Sequence, residues 1–149
     1  MSLAKNTAGE KLLIKFGDGE TSETFTHYCS VNAERTLNLT SDVFEGMVPD
    51  CDDPSAAAKP VMRVKGLSWS AEGQGIADGP SALALVQAWA NAETINAKVI
   101  QDVSGALGGF TLTGPIVIRS ITLGGTRGED QTFSISIGAA GDFDIEANA

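Results

Sequence analysis

The chain has 149 residues, 42% of them hydrophobic, with seventeen glycines and only nine aromatic rings (six Phe, two Trp, one Tyr). That length fits one domain with a real core and many turns, and the plentiful patterned β-branched residues argue against disorder. Ten Lys plus Arg against nineteen Asp plus Glu leave a formal net charge of -9, with no basic cluster, which argues against a protein that grips nucleic acid through its phosphates.

The N-terminal MSLAKNTAGEKLLIKFGDGE lacks the basic-then-apolar order of a signal peptide, and no run is long enough to span a membrane. Synthesis in a cytosol is therefore expected. There Cys29 and Cys51, outside any CxxC spacing, read as free thiols, while a bridge stays open for a particle that works outside the cell.

The first strand is expected at Lys11 to Phe16, closed by Gly17-Asp18-Gly19. Thr24 to Val31 alternates Phe25, His27, Cys29 and Val31 against Thr24, Thr26, Tyr28 and Ser30, the period of a half-buried strand. Arg35 to Thr40 continues briefly. From Ser41 to Pro60 the pattern stops, so a long extended loop is expected, and its Val43, Phe44, Met47 and Val48 imply that it packs against something.

Strand character returns over Val61 to Glu72, and GQGIADGP reads as a glycine-rich turn. One helix is expected over 81–92, with Pro80 in its first turn, Asp78 or Ser81 as cap, and Ala82, Leu85, Val86 and Trp89 as a single apolar stripe. Strands follow at Thr94 to Gln101, Gly109 to Thr113, Pro115 to Leu123 and Gln131 to Ile137, with a short acidic strand or tail at the end. The sum is a mainly β chain: a β-sandwich or open barrel of about eight strands with one flanking helix, in a single domain over 1–149.

Catalytic constellations are scarce, and no enzyme is expected. The single histidine, His27, shares a strand face with Cys29, which fits a packed or edge residue better than a nucleophilic pair. In PDCDDP, Asp50, Asp52 and Asp53 lack the spacing of a calcium loop, and one Cys with a distant His is too few for zinc. The glycine-rich segments lack a phosphate-loop Lys. No cofactor or metal is implied. Several strand faces carry short hydroxyls instead of Lys and Glu, among them Ser68, Ser70, Ser120, Thr122, Thr132, Ser134 and Ser136. Few lysines or prolines guard the strand edges, as suits a protein that assembles through its sheets.

The order of elements carries a resemblance. A strand pair, a long apolar and acidic loop, a strand ending in SWSAEGQG, the helix SALALVQAWANA and the final ITLGGTRGEDQTFSISI run resemble the major tail tube proteins of long-tailed phages and gene transfer agents, over roughly Lys11 to Glu146. The resemblance implies stacked hexameric rings around a smooth acidic or neutral channel that delivers DNA without binding it. It implies a place in a virion or phage-like tail, beside tape measure, terminator and distal tail proteins. Segment 41–60 would be the assembly loop, with Phe44, Met47 and Val48 as anchors and Asp50, Asp52 and Asp53 as charged partners. Ser68, Ser70, Glu72, Thr132, Ser134 and Ser136 are candidates for the lumen or a polar sheet face. The rival readings are another virion β-sandwich component (tail terminator, connector or injection-system tube) and a calcium- or carbohydrate-binding module.

Overall fold

The computed structural model describes residues 6–17, 23–28 and 30–149. The turn expected at Asp18-Gly19 and the residue Cys29 lie outside these. The chain divides into two compact units: Met1–Leu37 with Ser70–Ala149, and Asn38–Trp69.

Eight strands are described: β1 (Leu12–Gly17), β2 (Phe25–Thr26), β3 (Glu34–Val48), β4 (Lys59–Ile76), β5 (Thr94–Gln101), β6 (Phe110–Gly124), β7 (Thr132–Ala139) and β8 (Asp144–Ala147). One helix, α1 (Gly79–Ala90), and two single-turn 3-10 segments complete them. The strands form one open sheet in the order β2-β1-β5-β6-β7-β4-β3, with β8 also on β6. The mainly β class with one helix is as expected, and the strands make one antiparallel sheet that does not close into a barrel.

In the first unit one face of the sheet is apolar. Ile14 and Phe16 lie opposite Val99 and Ala97, Val99 opposite Leu112, and Ile118 opposite Ile137, all buried. Strands with one buried face carry the clean period-2 signal, and β5 matches its sequence expectation to the residue.

Strand β6 departs from the sequence reading in being continuous through Gly114-Pro115. Phe110 to Thr113 pairs with β8, and Ile116 to Gly124 pairs with β7 on that flank. Pro115 sits at the change of partner, where its missing N–H interrupts neither ladder and its carbonyl still accepts from Ala140 N at 2.9 Å. A bulge between Ile118 and Ser120 shifts the alternation by one residue. The core face passes from Ile116 and Ile118 to Ile121 and Leu123, and Arg119 is the extra residue.

The GQG turn is likewise strand. Gly73 and Gly75 pair with Ile135 and Phe133, and glycine is needed there for close approach. A Cβ on Gly73 would lie 2.3 Å from Val31 Cγ1, and one on Gly75 2.2 Å from Asn32 Oδ1. In contrast, the strand expected over Thr24 to Val31 is described only at Phe25–Thr26.

The helix starts two residues early, with Asp78 as N-cap accepting from Ser81 N at 3.3 Å and Pro80 in the first turn. Its stripe is shorter than expected. Ala82 and Leu85 are buried and Val86 half-buried, whereas Trp89 is 55% exposed.

Candidate functional site: a polar sheet face and an exposed ribbon

Two surfaces stand out, one in each unit. On the sheet face opposite the core of the first unit, register places Glu72 beside Ser136 and Gln74 beside Ser134. Ser136 and Ser134 in turn oppose Ser120 and Thr122, and Thr132 lies between Ile76 and Gly124. Ser70, Glu72, Thr132, Ser134 and Ser136 thus share one continuous face, as the sequence expectation grouped them, while Ser68 belongs to the second unit. A trough of about 320 Å³ on this face is lined by Glu34, Thr36, Glu72, Gln74, Ser134 and Ser136 among others, and Gln74 Nε2 donates to Glu34 Oε2. These six residues include two carboxylates and no cation, while the Arg119 guanidinium lies over Gly138 on the same face.

The roots of β3 and β4 are tied together beside this face. Asn32 mimics a strand residue: its Nδ2 donates to Ile76 O at 3.1 Å and its Oδ1 accepts from Ile76 N at 3.2 Å. Ala33 N donates to Gln74 O at 2.9 Å. The buried hydroxyls of Ser30 and Ser81 meet at 2.7 Å, and Ser30 Oγ also accepts from Asp78 N at 2.9 Å. These bonds fix where β3 begins relative to the end of β4.

The second unit, Asn38–Trp69, is the hairpin made by the rest of those strands. Segment 41–60, read as an irregular loop, is mostly strand: β3 runs to Val48 and β4 begins at Lys59, leaving a connection at 49–58. The sequence hid this because the segment buries neither face, so no core-against-polar alternation was selected. Among the described residues, β7 pairs only with Ser70–Ile76 of β4 and no strand pairs with the outer edge of β3. Both edges of the ribbon are open.

Its side chains are equally unmatched. Leu39, Phe44, Met47, Val48, Met62, Val64 and Leu67 are all exposed. Along β4, Met62 and Val64 alternate with Arg63 and Lys65, putting apolar groups on one face and cations on the other. A groove of about 580 Å³ joins Glu45 and Met47 of β3 to Pro60 and Met62 of β4. Phe44, Met47 and Val48, singled out from sequence, are here. Leu39, Met62, Val64 and Leu67 were missed, although the MRVK alternation was visible. The expectation of unguarded edges also needs correction, because Lys59, Pro60 and Lys65 all lie on the open edge of β4.

At the tip, the aspartates fold the connection. Asp50 Oδ1 accepts from Asp52 N (2.9 Å) and Asp53 N (3.3 Å), and Asp53 Oδ1 accepts from Ser55 N and Oγ. Cys51 is exposed and free. Among the described residues no group of three His, Cys, Asp or Glu side chains could hold a metal ion. His27 is half-buried, its Nδ1 3.4 Å from Ile14 O.

Sequence comparison names the kind of protein that carries these two surfaces. The family model for the phage tail tube protein matches residues 6–144. The chain belongs to the phage tail tube protein family. Membership assigns it a structural role in a tail tube. Solved tail proteins share the fold. The tail of an empty gene transfer agent particle, refined with C6 symmetry, superposes with a TM-score of 0.72 at 20% identity, covering 95% of this chain and all of that one. The tail tube of phage SPP1 gives 0.61 at 13% identity, covering 96% and 80%. A sheath-tube complex of an extracellular contractile injection system gives 0.59 at 13% identity, covering 95% and 92%. Comparison with curated protein sequences gives no match.

Proposed function

We propose that copies of this tail tube protein close into hexameric rings that stack into a tube, with DNA passing through a channel it does not bind. The exposed ribbon is the observation that carries this reading. A two-stranded hairpin alone is at best marginally stable in water, and seven exposed large apolar side chains on one hairpin need cover. A neighbouring copy supplies it. Phe44, Met47 and Val48 are then interface anchors, joined by Leu39, Met62, Val64 and Leu67, while Asp50, Asp52 and Asp53 shape the tip and meet the neighbour's cations.

The hydroxyl face suits the channel wall. Short side chains leave the bore smooth, and Glu34 and Glu72 deny phosphate a counter-charge. A head-to-tail contact that closes by rotation gives a ring, and stacking extends it. The finished tube sits in the tail of a virion or phage-like particle, beside tape measure, terminator and distal tail proteins, after synthesis in the bacterial host. Electron microscopy with native mass spectrometry of the concentrated protein tests the proposal. Six-fold rings or hollow tubes are expected. A chain that stays monomeric when seeded with preformed tail tips would refute it.

A further inference from the structure

Across β6, β7 and the Ser70–Ile76 stretch of β4, the sole Lys or Arg is Arg119, and it is exposed. The β6 bulge makes it the extra residue between Ile118 and Ser120, and bulges re-aim the side chains they carry. Its guanidinium lies across Gly138 of β7 on the hydroxyl face. A Cβ on that glycine would stand 2.6 Å from Arg119 Nε, 3.2 Å from Cζ and 3.3 Å from Nη2. Gly138 is buried beneath it, whereas Ser134 and Ser136, on the same face of the same strand, are half-buried. Glycine inside a strand costs stability relative to alanine, so its place here calls for a reason. The backbone does not supply one, since the described glycines of positive φ are Gly108 and Gly128. The space above Gly138 does.

We infer that Gly138 is a positioning residue for Arg119: it lets the cation lie down along the sheet, and so keeps this face weak for polyanions. The inference rests on the reading of the face as channel wall, and names the residue that stops that wall from gripping DNA. A methyl at position 138 takes the space the guanidinium occupies. The side chain is long and flexible, and the way left open to it is outward, into the bore. Arginine is the side chain whose planar fork matches phosphate in bidentate geometry. Lying on the sheet, it stands back from a duplex that passes along the axis, and salt screens a charge held at a distance. Raised, and repeated in every copy, it would line the path of the DNA with phosphate contacts.

Gly138→Ala tests the role. The atoms a Cβ meets are the far end of a flexible side chain, so the melting temperature of the unassembled variant is expected to hold or rise. Its tubes are expected to retain double-stranded DNA at low salt about threefold or more over parent tubes, and to release it at high salt. Adding Arg119→Gln to Gly138→Ala is expected to return retention to the parent level, a rescue that a purely structural glycine would not show. In the unassembled parent, a nuclear Overhauser contact between the Arg119 side chain and the Gly138 α protons is expected. Absence of that contact, a lowered melting temperature, unchanged retention, or retention that survives Arg119→Gln would each overturn the positioning role. Tubes of Ser134→Lys with Ser136→Lys separate this from the wall reading. If they retain DNA and Gly138→Ala tubes do not, the wall stands and the positioning role falls. If neither retains DNA, the face is not the wall. If the parent forms no tubes, the tube reading fails, and the Overhauser contact still decides where Arg119 lies.

Discussion

The ribbon's apolar face offers the sharpest test of assembly, through the double substitution Met62→Gln with Val64→Thr. Both replacements keep side-chain size, and Thr keeps the β-branched shape that strands favour. Burying a whole Val or Met side chain stabilises by about 1.5–3 kcal/mol. In the single chain 65% of Met62 and 62% of Val64 remain exposed. Covering that remainder in a tube therefore contributes about 1–2 kcal/mol per side chain. Losing both removes about 2–4 kcal/mol per contact, or roughly 30- to 700-fold in the association constant. The unassembled protein should hardly notice, because surface substitutions usually shift stability by no more than about 0.5 kcal/mol. The assay is a concentration series followed by light scattering and pelleting, with thermal melting of the dilute protein alongside. Unchanged assembly would refute the argument that this face is covered by a neighbour. A marked fall in melting temperature would show that the two side chains stabilise the single chain.

Two further outcomes are expected. Gly73→Ala forces a methyl to within 2.3 Å of Val31 Cγ1 in a buried position, which should cost about 1–3 kcal/mol and lower the melting temperature by several degrees. Val31→Ala in the same chain should recover part of that loss, and a silent Gly73→Ala would refute the close-approach account. On the hydroxyl face, Ser134→Lys with Ser136→Lys should leave the fold and assembly intact. The variant tubes should then retain double-stranded DNA at low salt and release it at high salt, whereas parent tubes pellet without DNA. Equal DNA retention by both would remove this face from the channel wall.

What the sequence made legible follows from what the single chain buries. Strands β5 and β7 and the helix are half-buried, so selection for the core wrote period 2 or 3.6 into them, and they were located to within about two residues, the usual scatter of element ends. The hydroxyl face was legible for the same reason, as the partner of that alternation. The ribbon is legible only in part, because between Ser41 and Val48 it buries neither face within the chain. Arg35 to Thr40 and Val61 to Glu72 carry a readable strand pattern, whereas Ser41 to Val48, with Phe44, Met47 and Val48, does not. Local punctuation misled at Gly73, Gly75 and Gly114-Pro115, where glycine serves close approach and proline falls between two ladders, instead of marking turns. The spacing of Trp89 from Leu85 and Val86 predicts a core residue. A helix whose last turn lies over a groove satisfies that spacing without burying the ring.

The two edges of the ribbon differ in a way that bears on how copies meet. An open strand edge invites indiscriminate pairing, and lysine and proline are the residues that suppress it. On β4 the open edge carries Lys59, Pro60 and Lys65, and Pro60 lacks an N–H to offer. On β3, ERTLNLTSDVFEGMV contains neither residue type. Strand addition along β4 is therefore disfavoured, and along β3 it is not. A neighbouring sheet that extends this one should pair with β3, while β4 should make any contact through side chains: Met62 and Val64 from one face, Arg63 and Lys65 from the other. That division leaves one backbone edge of the ribbon open to strand addition.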